Sequence, residues 1–436
     1  MASTSISKAT PGTPTNNKKF TFSFWVKRHK LGSNQNIYIH ERGSGYSHTH
    51  KVEFGFHSSD SFFVGTWNGS AEYYSRTKRK FKDTNAWYHC MVVVDSTQST
   101  NTNRLKWYFN GEQYSIDGAA FDAGPSYPAQ NWVFDSNTWT HNIGRYVSSG
   151  GASNYLDASL SDFCFVDGLA LTPSSFGETD TDTGEWRMKD FAAGDITWGT
   201  NGYRILKDGN SLTDVSSNSH NFTADTGTLT KTEDCPNNVF CTGNPLARYS
   251  GNVNYSNGNN FITGSANNWT MGSATMGAST GKWYYELKML TAGTGSGYFK
   301  MGFQSADQSY AGTGHTAESG LDASYAFYNQ QGNLEVRTDG AVISGYDTST
   351  LGVSFSMNDV MCLAIDMDNK KAYFRKNGDA WIKSANPVNG TNGLDISSEY
   401  PAGKGMVPNF AIYYPGTAAV NFGNGYFGTT AVSSAG

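Results

Sequence analysis

The run DVMCLAIDMDNKKAYFRKNGDAW at Asp359–Trp381 reads as a β-hairpin. Val360 to Ile365 is apolar, too short for a helix and rich enough for a buried strand. Asp366, Asp368, Asn369 and Lys370 supply turn chemistry. Ala372 to Arg375 alternates between faces and stops at Asn377-Gly378, the strongest short turn signal. The same layout recurs toward the amino terminus. His89 to Val94 is an apolar run closed by Asp95, STQSTNTN is a polar loop, and Leu105 to Phe109 returns to stop at Asn110-Gly111. The chain therefore reads as one arrangement built twice, a β-sandwich around a core hairpin. The two copies share a layout and no alignable sequence.

The totals agree. Of 436 residues, 14% are aromatic, 49 are Gly and only 16% are charged, which suits a turn-rich all-β protein. A net charge of -5 argues against nucleic acid, whose binders need a basic stripe. The cluster Arg76, Lys78, Arg79, Lys80 and Lys82 reads as the solvated face of an edge strand. Cys90, Cys164 and Cys362 lie in apolar runs as small core residues, while Cys235 and Cys241 flank PNNVF in a loop. An odd cysteine count and a polar start argue against a secreted disulfide framework. No apolar stretch nears the ~20 residues of a membrane-spanning helix, so membrane insertion is not expected.

Residues 1–19 are rich in Ser, Thr and Pro and read as a flexible amino-terminal arm, loose or ordered against a neighbouring subunit. Phe20 to Arg28, FTFSFWVKR, alternates as a strand over a core, with Trp25 on the polar side. Strand-like runs follow about every ten residues up to Val166, the spacing of a sandwich or jelly roll. Residues 187–245 hold few strong strands, with 198–206 and 221–232 as candidates, and read as a connector laid along a neighbour's surface. The β pattern returns over 246–430, ahead of a short tail at 431–436.

FSFWVKR, AWYHCMVVVD, LKWYFNGEQ, HNIGRY and above all FVDGLALTPSSFGETDTDTGEW (Phe165 to Trp186) resemble a laminin-G-like, concanavalin A-like sandwich. They are most similar to the version found in virion proteins of tailed bacteriophages, marine and cyanobacterial ones especially. In the second half GKWYYELKM, YFKMGF, the quoted hairpin and VNFG resemble a SPRY domain. The expected fold is all-β: two β-sandwich domains, 20–186 and 246–430, joined by an extended connector. The resemblance implies a non-enzymatic virion structural protein, a tail fibre or spike or a capsid decoration. It would be assembled in the bacterial cytoplasm, attach to other virion proteins and adhere to the host, with a homotrimer favoured. The alternative is a carbohydrate-binding module for host-surface glycans and, behind it, a polysaccharide depolymerase.

The residues offer little chemistry. A sandwich-fold glycosidase needs two facing carboxylates about 5–10 Å apart. The nearest approach, Glu178-Thr179-Asp180-Thr181-Asp182, lies in a Thr/Gly-rich turn. His48-Thr49-His50 would place two imidazoles on one face, short of a zinc set. Asp95 and Asp366 suit Ca²⁺ in type, but an Asp that closes a strand commonly bonds its own turn amides. No catalytic residue, cofactor or metal is expected. The candidate glycan or partner contacts are loop aromatics: Trp67, Trp132, Trp139 and Tyr146 in the first domain, and Tyr310, Tyr346 and Trp381 in the second.

Overall fold

The computed structural model describes residues 3–41, 51–67, 71–114, 121–123, 126–134, 139–148, 151–248, 253–264, 269–292, 298–306, 324–330, 333–338, 341–397, 405–413, 415–427 and 430–431. Two compact units divide the chain at residues 239 and 240.

The first unit starts with β1 (Ser5–Ala9), β2 (Lys19–Arg28), β3 (Gln35–Glu41), β4 (Lys51–Phe56), β5 (Ser61–Trp67), β6 (Glu72–Lys80) and β7 (Trp87–Asp95). It continues through β8 (Leu105–Phe109), β9 (Glu112–Gln113), β10 (Phe121–Ala123), β11 (Thr140–Ile143), β12 (Tyr146–Ser148), β13 (Gly151–Ser153) and β14 (Ala158–Asp167). The last four are β15 (Gly177–Thr179), β16 (Trp186–Met188), β17 (Tyr203–Ile205) and β18 (Thr223–Thr226). Eight strands form one sheet in the order β10-β6-β5-β4-β3-β11-β1-β18, and six form the other in the order β17-β14-β2-β7-β8-β9. The alternation of FTFSFWVKR is realised. Phe20, Phe22, Phe24 and Val26 are buried between the sheets, with the Phe24 ring stacked on Phe54 at 5.4 Å.

The six-stranded sheet is also covered on its outer face. Met91, Val93, Cys164 and Val166 pack there beneath Phe176, Phe191, Ile196 and Trp198. Every residue of β7 is buried as a result, which is why its sequence runs apolar without alternating.

Two expectations need correction. The amino-terminal arm is a strand of the eight-stranded sheet: β1 pairs with β11 (Ile6↔Ile143) and with β18 (Ile6↔Ala224), and Ile6 is buried. Ile6 is the one large apolar residue of the pentamer, too weak a pattern to read, and backbone pairing on both sides holds the strand. Residues 187–239 are likewise part of this unit rather than a connector. β17 pairs with β14, and Tyr203, Ile205, Leu206 and Phe222 join the central core. β17 and β18 form within the two candidate strands, 198–206 and 221–232, while the other apolar anchors stand one or two at a time between polar loops.

The second unit holds β19 (Gly243–Arg248), β20 (Val253–Ser256), β21 (Phe261–Gly264), β22 (Trp269–Ala274), β23 (Lys282–Ala292), β24 (Tyr298–Ser305) and β25 (Ser324–Gln330). β26 (Asn333–Thr338), β27 (Ala341–Val342), β28 (Val360–Asp366), β29 (Lys371–Lys376), β30 (Leu394–Asp395), β31 (Met406–Tyr413) and β32 (Gly416–Asn421) follow. They build two seven-stranded sheets, β19-β22-β31-β24-β25-β26-β27 and β20-β21-β32-β23-β28-β29-β30. Leu287, Met301, Leu363, Phe374 and Phe410 lie between them. The protein is all-β, with a β-sandwich in each unit.

The two core hairpins share more than a layout. At one end Lys19 stands opposite Asp95 and bonds it at 3.1 Å, as Lys282 stands opposite Asp366 at 3.3 Å. At the other end an Asn with positive φ closes the ladder. Asn110 (φ 51) donates its N–H to His89 O and accepts the His89 N–H on Oδ1, both at 2.9 Å. Asn377 (φ 49) does the same to Val360, both at 2.8 Å. Ala at 377 would lose the side-chain acceptor and strain the left-handed backbone. Asn377→Ala should destabilise the second unit by about 2–4 kcal/mol, read as a shifted urea midpoint.

Candidate functional site

Outer-face residues of β2 and β7 form the floor of a cleft of about 630 Å³, within the range of small-molecule sites. Trp25 and Trp87 lie in that floor, both largely buried. One wall is the β15–β16 hairpin, whose Trp186 ring lies against Gly111 and Gly177. The other is the segment through Asp234 to Val239. Asp234 fastens it by accepting from Trp87 Nε1 at 2.9 Å and from the buried Lys27 ammonium at 2.6 Å. A turn bridging Cys235 and Asn238 then places Pro236 and Val239 on the cleft. Arg79, Glu112 and Glu185 are exposed at the rim. The exposed lining is mainly polar, over two nearly buried indoles and the half-buried Trp186, which suits an uncharged polyhydroxylated ligand that pairs its hydroxyls with side chains and rests on indole edges.

Gly177 has ordinary backbone angles, so its role here is space. A methyl group at 177 would overlap the Trp186 indole. Gly177→Ala should displace this wall and shift the tryptophan emission to the red, while the urea midpoint moves by less than the equivalent of about 2 kcal/mol.

Residues 3–175 match the family model described as the concanavalin A-like lectin/glucanases superfamily. The chain carries a concanavalin A-like domain. Among solved structures it is similar to the SPRY domain of human HERC1, at 17% identity over 42% of this chain and 98% of that one, with a TM-score of 0.31. It is also similar to domains LG4-5 of the mouse laminin alpha1 chain, at 6% identity over 96% of this chain and 86% of that one, TM-score 0.31. The native heptameric SAP-like pentraxin of Limulus polyphemus matches at 18% identity over 39% and 72%, TM-score 0.28. No curated protein sequence matches.

The aromatics expected as contacts are placed differently. In the concanavalin A-like domain Trp132 and Trp139 are core residues, 4% and 6% exposed, against Phe134 and His40 respectively. Polar neighbours in sequence did not mean an exposed ring. Trp67 and Tyr146 are half-buried and gather near Lys51, which pairs with Trp67 in register and holds its ammonium 5.7 Å from the Tyr146 ring. In the second unit Tyr346 is also core, 9% exposed, with the Lys383 ammonium 4.3 Å from its ring. Trp381 is half-buried beneath the Arg375 guanidinium at 4.7 Å and edge-on to Tyr284. Tyr310, His48 and His50 lie outside the described residues.

The cleft's own tryptophans were missed. Trp25 is an indole on the polar side of an alternating strand, the one sequence signal that the outer face is covered. Trp186 ends the long resemblance stretch.

Of the carboxylates weighed for chemistry, Glu178, Asp180, Asp95 and Asp366 are engaged. Arg187 bonds Glu178 at 2.9 Å and Asp180 at 2.7 Å. Asp180 also accepts the backbone N–H groups of Thr183 and Asp182, which hold its carboxyl below the usual range. Asp95 accepts from Thr97 and Gln98 in its turn, and Asp366 from Asn369. Among the described residues no group of three or more His, Cys, Asp or Glu is placed to hold a metal ion.

Proposed function

We propose that the chain is a non-enzymatic adhesion protein whose concanavalin A-like domain takes a host-surface glycan in the tryptophan cleft. One observation carries this reading: three indoles from different parts of the chain, Trp25, Trp87 and Trp186, converge on one open cleft with a polar rim. For the whole chain the proposal is a virion structural protein of a tailed bacteriophage, a fibre, spike or capsid decoration. Support for that part comes from the resemblance over Phe165–Trp186 and from two sandwich units in one chain. Rotational oligomerisation, most simply a trimer, would turn weak single-site contacts into avidity.

A glycan array probed with the full chain at pH 7.5 tests the ligand. Hits that Trp186→Ala abolishes support the reading, and an array without hits removes it. Immunogold labelling of intact particles with an antibody to the chain tests the virion role. Label on head or tail supports it, and unlabelled particles from an expressing infection contradict it.

A further inference from the structure

His89 stands behind the Trp186 wall with no exposed surface. Its ring stacks on Trp25 at 4.9 Å and lies 5.9 Å from the Trp186 ring. The Trp186 indole N–H points at His89 Nδ1 across 3.0 Å. An indole nitrogen can only donate, so Nδ1 carries a lone pair. The proton of the neutral ring is then on Nε2, which donates to Ser23 Oγ at 2.8 Å.

A further proton can enter this ring only at Nδ1. It would set two N–H groups face to face and place a charge where no carboxylate bonds the ring. The surrounding charges are committed elsewhere or peripheral. Lys27 on β2 bonds Asp234 of the cleft's second wall, and Arg187 on β16 bonds Glu178 and Asp180. Arg79, Glu112 and Glu185 are exposed at the rim, and Tyr108 packs on the outer face of β8. None of these has a hydrogen bond to His89. The hairpin itself is short, with three paired residues in each strand. Phe176 and Phe191 hold its base, and Trp186 is its tie to the sheet above them.

We propose that His89 is an acid-operated latch on the cleft: neutral, it holds Trp186 in place as a wall; protonated, it releases the β15–β16 hairpin and the cleft comes apart. The regulatory meaning rests on the glycan-binding reading, whereas the latch itself does not. With the imidazole titrating near its ordinary value of about 6.5 once the hairpin opens, closure should weaken about tenfold between pH 7.5 and 5.5.

Amide hydrogen exchange on the full chain tests this without any ligand. The probes are the hairpin amides of Asp180 and Lys189, which bond Glu185 O and Phe176 O, compared with amides of the β7–β8 ladder. After correction for intrinsic exchange, hairpin protection should fall about tenfold from pH 7.5 to 5.5, the effect of one imidazole, and so less than that of ladder amides that exchange through unfolding of the whole unit. His89→Gln keeps an acceptor for Trp186 and a donor for Ser23 but cannot titrate, so its hairpin should change by less than about twofold. An equal fall in His89→Gln, an unchanged wild-type hairpin, or a fall shared equally by the ladder overturns the latch. Should His89→Gln not fold, the wild-type comparison of hairpin with ladder decides alone. Glycan-array binding at pH 7.5 separates the two ideas. No hits with a working latch removes only the ligand, and hits with a pH-insensitive hairpin remove only the latch.

Discussion

Lowering the pH from 7.5 to 5 should strip about 6 kcal/mol from the stability of the first unit and leave the second nearly unchanged. His40, His89 and His141 are all fully buried in the first unit. His40 and His141 stand opposite each other on β3 and β11 with ring centroids 4.4 Å apart. Thr10 contacts one and Tyr38 the other. Burial pushes His89 and His141 down to about 3, and burial followed by the neighbouring His141 pushes His40 well below the ordinary value. Each imidazole is therefore neutral in the folded unit and takes up a proton on unfolding. The sign follows: stability is full above about pH 6.5 and falls below it by about 1.4 kcal/mol per pH unit for each ring, down to about 3 for His89 and His141. Three rings over one and a half units remove about 6 kcal/mol, a large share of the ~5–15 kcal/mol that holds a domain together. Asp95 and Asp157, held below the usual carboxylate range chiefly by hydrogen bonds that outweigh burial, add losses of the same sign at lower pH. The second unit has one histidine in its sequence, His315. Urea denaturation at the two pH values, resolved by unit with hydrogen exchange, reads the difference. His141→Gln should shallow the slope by about a third. Equal stability of the first unit at both pH values would contradict the argument.

The second large effect concerns Asp234. Lys27 is fully buried, with its ammonium 2.6 Å from that carboxylate, which also takes the Trp87 N–H. Removing one partner of a buried pair leaves a charge where water cannot reach it, at a cost of about 3–5 kcal/mol. Asp234→Ala should lower the stability of the first unit by that amount and loosen the cleft's second wall. Asp234→Asn, which keeps an acceptor for Trp87, should cost less. A chain ending at Trp186 goes further: it removes Tyr203, Ile205 and Phe222 from the core as well as Asp234. That truncated chain should not give a cooperative unfolding transition. Were it to fold with the stability of the full first unit, residues 187–239 would be dispensable and the architecture described here would be wrong.

Strands with one buried face, such as Phe20 to Val26, announce themselves by alternation, and both Asn-Gly stops close their hairpins as their chemistry dictates. Ile6 does not, because it is a single large apolar anchor in a polar stretch and only its partner strands give it meaning. The cleft was hidden for the same reason. Trp25, Trp87 and Trp186 are far apart in sequence, and the face that gathers them would ordinarily be wet. Trp132 and Trp139 misled in the opposite direction, since both rings are buried despite polar neighbours in sequence.

The central claim is that this tryptophan cleft is where the chain binds. Its most direct measurement is a hydrogen-exchange footprint of the full chain at pH 7.5, with and without a surface polysaccharide that it retains. Protection concentrated at 110–112, 184–188 and 236–239 is the expected result. Protection confined to the second unit, or none on either wall of the cleft, would contradict it.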